Sequence, residues 1–121
     1  HKMNIKDIEK IEAFSGQEGT KIKQIFSPED TSNVIRYSVA HCTINPGKIS
    51  KPHTMKTSEI YYILEGKGTF HVEEEQTEVK KNEAIFVPPN SRQFLENNGE
   101  TDLIALCIVD PAWRQEDEIS E

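Results

Sequence analysis

Apolar and polar residues alternate along most of the chain beyond residue 20, in short runs separated by turn residues. Turn chemistry at Asn45-Pro46-Gly47 and Pro88-Pro89-Asn90 marks two of the breaks between runs. A period of two in short, evenly spaced runs predicts β-strands, and many such strands indicate a sandwich or barrel. The predicted strands are Val34–Ile44, Glu59–Leu64, Thr69–Glu73, Thr77–Lys80, Ala84–Val87, Arg92–Glu96 and Asp102–Val109, with Lys21–Phe26 before them.

The two ends of the chain follow other patterns. Residues 3–14 carry isoleucines and a phenylalanine at a spacing of three, which fits one or two helical turns or an irregular segment packed on a sheet. Residues 114–121 form an acidic tail, expected to be a solvated face or a frayed terminus. His1 and Lys2, before Met3, look like a tag remnant. We therefore expect one domain over residues 3–121.

Composition narrows the possible partners and compartments. The chain has 121 residues, with 14 Lys and Arg against 21 Asp and Glu, for a formal net charge of −7. That sign argues against binding nucleic acid, where Lys and Arg neutralise phosphates. The run Ile104–Val109 is far shorter than the ~20 apolar residues of a membrane span. With no signal-peptide pattern, the expected compartment is the cytoplasm.

The two cysteines, Cys42 and Cys107, form neither a disulfide framework nor a zinc ribbon. Each lies in an apolar, strand-like run, where a buried reduced thiol acts as a small hydrophobe. A thiol that lines a pocket is the alternative interpretation.

The segment 47–66 contains the most informative residues. His53 and Met55 are two apart, so on an extended chain they point to the same face. Glu59 begins the next predicted strand and shares a face with Tyr61. A hairpin of this kind can aim His53 and Glu59 at one interior point, and an imidazole and a carboxylate together suit a divalent metal.

The spacing of these residues resembles the first motif of the cupin superfamily. In this chain the motif consists of Gly47, His53, Met55, Glu59 and Gly66, with Met55 in place of the family's second histidine. The second cupin motif is recognisable as Asn82, Pro88, Asn90, Gln93 and Asn97. Asn82 stands where a glycine is usual, and Gln93 stands where the family has a histidine.

The resemblance implies a single-domain jelly-roll β-barrel that is commonly dimeric, so we expect a homodimer. Many cupins hold one metal by three histidines and a glutamate, which here fall on His53, Met55, Gln93 and Glu59. The implied cofactor is a divalent transition metal: Fe, Mn, Ni, Cu or Zn. A glutamine oxygen is a harder ligand and a methionine sulfur a softer one than imidazole, so the substitutions predict a weakened site.

Each candidate ligand has an alternative interpretation. His53 fits a hydrogen-bonded core histidine, Gln93 a ligand-facing amide or a filled polar core position, and Met55 ordinary packing. Tyr61 shares the face of Glu59, so its hydroxyl is a candidate to bind or protonate a ligand, with core packing as the alternative.

Four more side chains are open to interpretation on the predicted strands. His41 or His71 would supply a missing imidazole if it pointed inward, whereas a solvent-facing strand histidine is the alternative. We expect Phe86 and Phe94 to belong to the barrel core.

Two function classes follow. The first is a metal-dependent enzyme acting on a small polar molecule, with dioxygenase, isomerase and lyase chemistry not distinguished by the sequence. The second is a non-catalytic barrel that binds a small molecule with weak or no metal, which the two altered ligand positions favour.

Overall fold

A computed structural model of the chain describes residues 3–15 and 18–120 and places them mainly in two antiparallel β-sheets. The expected tag residues His1 and Lys2 lie outside the described residues. The strands are β1 (Thr20–Phe26), β2 (Ser38–Ile44), β3 (His53–Met55), β4 (Ser58–Glu65), β5 (Lys67–Val72), β6 (Glu75–Lys80), β7 (Ala84–Val87), β8 (Arg92–Glu96), β9 (Leu103–Asp110) and β10 (Glu118–Ser120).

The strands form two five-stranded sheets. The first sheet has the order β1-β2-β9-β4-β7, and the second has the order β10-β3-β8-β5-β6. Most neighbours are not consecutive in the chain, so the polypeptide crosses repeatedly between sheets, as in a jelly-roll barrel. The predicted all-β fold class is confirmed.

The core lies between the two sheets. Phe70 of the second sheet packs edge-on against the ring of Tyr61 from the first sheet, at a centroid distance of 4.8 Å. Among the apolar side chains that are at most 2% exposed are Ile63, Phe70, Val87, Leu95 and Leu103. They come from five different strands, so the apolar face of each sheet covers the other.

The expectation that Phe86 belongs to the core is wrong. Phe86 is 63% exposed, whereas its neighbour Val87 is 1% exposed. Successive side chains of a strand point to opposite faces, so the inward position of Val87 places Phe86 outside. Phe94 is half-buried and stacks on the ring of His71.

Two asparagines of the second motif have structural roles. The buried Asn97 amide donates to the carbonyls of Ile44 and Thr101 at 2.8 and 2.9 Å. Its oxygen accepts from the backbone N–H of Gly99 at 2.9 Å, so the side chain ties three segments together. Asn82, where a glycine is usual, has a φ of 73°, a left-handed conformation that asparagine tolerates better than most residues.

The chain ends are more regular than the sequence predicts. A single 3-10 turn, Ile8–Lys10, begins at Asp7, whose carboxylate accepts from the Glu9 backbone. In the segment expected to be an acidic tail, a 3-10 turn leads into β10, which pairs with β3. In the described part of the chain, none of the helical segments has the length and apolar character needed to span a membrane.

Candidate functional site in the barrel

A cavity of about 220 Å³ lies between the two sheets. Its wall includes inward-facing side chains from both sheets, among them Cys42, His53, Met55, Glu59, Tyr61 and Cys107. The cavity therefore contains three of the four predicted metal ligands and the predicted acid Tyr61.

Strand register brings these residues together. Pairing of β3 with β8 places His53 directly opposite Gln93. On the other sheet, Glu59 and Tyr61 are two apart on β4 and both are buried. The two pairs meet across the barrel: Tyr61 contacts Gln93, and His53 approaches Glu59.

The His53 ring is held in a defined orientation. Its Nδ1 lies 2.8 Å from the Lys51 carbonyl oxygen. Because a carbonyl only accepts, Nδ1 carries the hydrogen and donates it, which leaves Nε2 toward Glu59 Oε1 at 4.0 Å. Metal-binding histidines are commonly oriented by a backbone carbonyl in this way.

Protonation of the His53 ring is also favoured by its surroundings. Burial lowers the pKa of His53, but the nearby Glu59 carboxylate and the hydrogen bond to the Lys51 carbonyl outweigh it and raise the pKa above its usual value. The neighbourhood of His53 thus favours a positive charge near Glu59, and a proton or a metal ion is able to provide it.

Glu59 is a buried carboxylate whose hydrogen bonding is incomplete. The residue is 5% exposed, and its buried Oε1 accepts no hydrogen bond from any residue that the structure describes. A buried carboxylate without a partner costs several kcal/mol, so such a group is usually retained because something positive binds it.

Tyr61 and Gln93 form a buried pair. The Tyr61 hydroxyl donates to Gln93 Oε1 at 2.7 Å. Burial above all, and then the negative charge of Glu59, raise the pKa of Tyr61 well above its usual value. The hydroxyl therefore stays protonated at neutral pH and acts as a donor. The Gln93 oxygen, the atom that would ligate a metal, is already engaged.

The donor set fits a divalent cation in part. His53 Nε2 and Glu59 Oε1 face each other at 4.0 Å, and Glu59 Oε1 accepts no hydrogen bond from the described residues. Gln93 would have to release Tyr61 to ligate, and Met55, 2% exposed, adds a thioether from the same strand as His53. Across residues 3–15 and 18–120, no three His, Cys, Asp or Glu side chains are grouped to hold a metal. Of the four predicted ligands, two therefore bring ligand atoms face to face, His53 Nε2 and Glu59 Oε1.

The other two strand histidines lie away from the cavity. His71 stacks on Phe94 at a centroid distance of 4.0 Å, and its Nε2 lies 3.2 Å from a Glu96 carboxylate oxygen. His41 pairs in register with Lys23, and burial together with that lysine lowers the pKa of His41. Neither ring lines the cavity. The missing imidazole is not replaced from these strands.

The two thiols are brought together, which the sequence interpretation missed. Cys42 Sγ and Cys107 Sγ lie 3.0 Å apart, and both side chains line the cavity. The contact with Cys42 and burial raise the pKa of the Cys107 thiol. Both cysteines occupy inward positions of neighbouring strands, but only the register between β2 and β9 shows that they meet.

This chain belongs to the cupin domain family, whose pattern matches residues 40–109. It is 34% identical to an uncharacterised protein of Methanocaldococcus jannaschii, over 92% of this chain and 89% of that one. It is 30% identical to the oxalate-binding protein of Thermotoga maritima, over 84% of each chain.

Solved structures show the same fold. A predicted oxalate decarboxylase from Thermotoga maritima matches with a TM-score of 0.76 and 26% identity, over 88% of this chain and 97% of that one. An RmlC-like cupin from Shewanella frigidimarina matches with a TM-score of 0.78 and 17% identity, over 95% and 96%. The two motifs seen in the sequence thus correspond to a cupin barrel.

Proposed function

We propose that this cupin binds one divalent transition metal through His53 and Glu59 and uses the cavity around it to bind a small polar molecule. The observation that carries the proposal is the buried Glu59 Oε1, which has no hydrogen-bond partner within residues 3–15 and 18–120 and faces a histidine oriented by the Lys51 carbonyl. Gln93 and Met55 are the proposed further ligands. Fe, Mn, Ni, Cu and Zn remain the candidate ions because the mixed donor set selects none of them.

The ligand we propose is a small anion such as a carboxylate. One relative is named an oxalate-binding protein, and Lys51 and His53 both line the cavity here. The Tyr61 hydroxyl is the proposed hydrogen-bond donor to the ligand, for which it must release Gln93 Oε1. Its raised pKa keeps the hydrogen in place. Whether the bound molecule is then converted depends on chemistry that a metal would supply as a Lewis acid or redox centre.

Glu59→Gln is expected to weaken metal binding by more than the roughly 10- to 100-fold that outer-shell partners contribute, because it removes the only carboxylate proposed as a ligand. The same change removes the charge of a buried carboxylate whose Oε1 accepts no hydrogen bond from the described residues, so the metal-free protein should become more stable by about 1 kcal/mol. Calorimetric titration with Mn²⁺ and Zn²⁺, elemental analysis and chemical denaturation measure the two effects.

The matched controls for this experiment are histidine variants. His53→Ala should lose metal as Glu59→Gln does, whereas His71→Ala should not, because His71 lies outside the cavity. The protein used begins at Met3, since a terminal histidine binds metal on its own. Equal metal content in Glu59→Gln, His53→Ala and the parent would contradict the proposal.

A metal-free ligand-binding barrel is the second candidate. It is favoured by the Tyr61–Gln93 hydrogen bond, which engages the oxygen that a metal would need. On this alternative, oxalate binds the chelator-treated protein with undiminished affinity and His53→Ala weakens it. Under the first proposal, chelation itself abolishes oxalate binding.

We also infer a cytoplasmic homodimer. Support comes from the family resemblance and from an apolar strip on the outer face of the first sheet, formed by Ile60, Tyr62 and Phe86, which are 38–63% exposed. Ile60 and Phe86 are direct cross-strand neighbours, so the strip is continuous. A surface of this kind is typical of contacts between copies.

Phe86→Glu is expected to shift the protein from dimer to monomer, because it places a charge in the proposed interface. Sedimentation velocity at micromolar concentration measures the change. Val34→Glu is the control, since Val34 is 83% exposed and lies outside the strip. A parent protein that sediments only as a monomer would rule out the dimer.

A further inference from the structure

Two sulfur atoms approach each other inside the cavity wall. Cys42 Sγ and Cys107 Sγ are 3.0 Å apart. In the β2–β9 register Cys42 pairs with Ala105 and Cys107 pairs with Ala40, so the cysteines are diagonal neighbours on the inward face. An S–S bond is about 2.05 Å long, so the sulfurs need to move together by only about 1 Å.

A small oxidant has a route to this pair. Cys42 is partly exposed and Cys107 is 5% exposed, and both side chains line the cavity. The chain has only two cysteines, so an intramolecular disulfide has a single possible pairing. Structural buried thiols are normally inert because burial keeps them protonated and inaccessible. Here the cavity gives access, and the second sulfur lies within 3.0 Å of the first.

We propose that Cys42 and Cys107 are a redox-sensitive dithiol that a peroxide converts into a disulfide within the ligand cavity. The more exposed Cys42 sulfur attacks one oxygen of hydrogen peroxide, which breaks the O–O bond and gives a sulfenic acid and water. The Cys107 sulfur then attacks the Cys42 sulfur and displaces the hydroxyl as a second water. In total two thiols and one peroxide give one disulfide and two waters.

A disulfide between Cys42 and Cys107 would alter the proposed ligand site itself. Cys107 is the cross-strand neighbour of Tyr61, and the two sulfurs line the same cavity as Glu59. A bond between β2 and β9 therefore changes the wall on which the small molecule binds. The proposal concerns the thiols alone and does not depend on a metal.

The test is oxidation of the reduced protein with hydrogen peroxide, followed by intact-mass spectrometry and alkylation of remaining thiols. We expect the monomer to lose the mass of two hydrogen atoms, to lose both thiols together, and to recover them on treatment with a dithiol reductant. Peptide mapping without reduction should show the Cys42–Cys107 link.

Single-serine variants provide the matched controls. Cys107→Ser should accumulate a Cys42 sulfenic acid that dimedone traps, and Cys42→Ser should react more slowly because Cys107 is less exposed. Disulfides formed only between chains, separate oxygen additions to the two thiols of the parent, or no reaction with excess peroxide would each overturn the proposal.

Discussion

Gly68→Ala is expected to destabilise the protein by more than about 3 kcal/mol, at the upper end of what overpacking usually costs. A Cβ at Gly68 would lie 2.2 Å from the backbone oxygen of Glu96 and 2.8 Å from a Leu103 methyl carbon. The Glu96 oxygen belongs to the neighbouring strand β8, so no side-chain rotation relieves the overlap. Either the β5–β8 pairing opens or the sheet moves.

Gly47→Ala is the matched control for this prediction. Gly47 has a φ of 78°, but a Cβ there would meet nothing within 4 Å. Its cost is then only the left-handed conformation, about 1–2 kcal/mol. Denaturant unfolding followed by circular dichroism compares the two variants. If Gly68→Ala costs no more than Gly47→Ala, the close approach of β5 and β8 is not rigid.

The sequence predicts the strands best where one face is buried and the other is exposed to solvent. The alternation around Glu59–Leu64 and Arg92–Glu96 corresponds to β4 and β8 within a residue at each end. Short strands were harder, because three residues carry too little periodic signal. β10, inside the acidic segment, is held by pairing with β3 rather than by its own composition.

The predicted site residues do converge, but their partners were not readable from the sequence. That His53 and Met55 share a strand follows from their spacing, whereas the Tyr61–Gln93 hydrogen bond joins residues 32 apart on opposite sheets. Phe86 shows a related limit: the apolar character of a strand residue does not by itself tell whether its side chain faces the core or the outside. Its face follows from the pairing, in which Phe86 lies opposite the exposed Ile60 while the next residue, Val87, is buried.

The site combines features that oppose one another energetically. The Tyr61 hydroxyl donates a hydrogen bond to the buried Gln93 oxygen and so stabilises the barrel. Glu59 Oε1, in contrast, is buried and accepts no hydrogen bond from the described residues. A side chain that reduces stability and has no structural partner is the expected mark of a binding group. The departures at Met55 and Gln93 would therefore weaken the proposed metal centre, while the Glu59 carboxylate is retained.

Restoring the two missing imidazoles is expected to raise metal affinity by about 100-fold or more, since each direct ligand should be worth at least the roughly 10- to 100-fold of an outer-shell partner. Met55→His and Gln93→His add one ring beside His53 on β3 and one directly opposite it on β8. Tyr61→Phe is included in parent and variant alike, because the tyrosine hydroxyl would otherwise donate to the new ring at position 93. Competition titration with a chromophoric Zn²⁺ chelator measures the affinity.

The controls distinguish correctly placed metal ligands from the effect of simply adding histidines. Thr54→His with Gln93→His carries the same number of imidazoles, but position 54 alternates with His53 and so faces away from it. It should therefore recover at most the gain of the single Gln93→His variant. Adding Glu59→Gln to the two-histidine variant should abolish most of the increase, because the carboxylate supplies the only negative charge among the proposed ligands. Two outcomes would show that Met55 and Gln93 do not occupy ligand positions. One is that the Thr54 variant binds Zn²⁺ as tightly as the Met55→His, Gln93→His variant, and the other is that the latter folds but binds Zn²⁺ no more tightly than the parent. The metal-free barrel then becomes the better account.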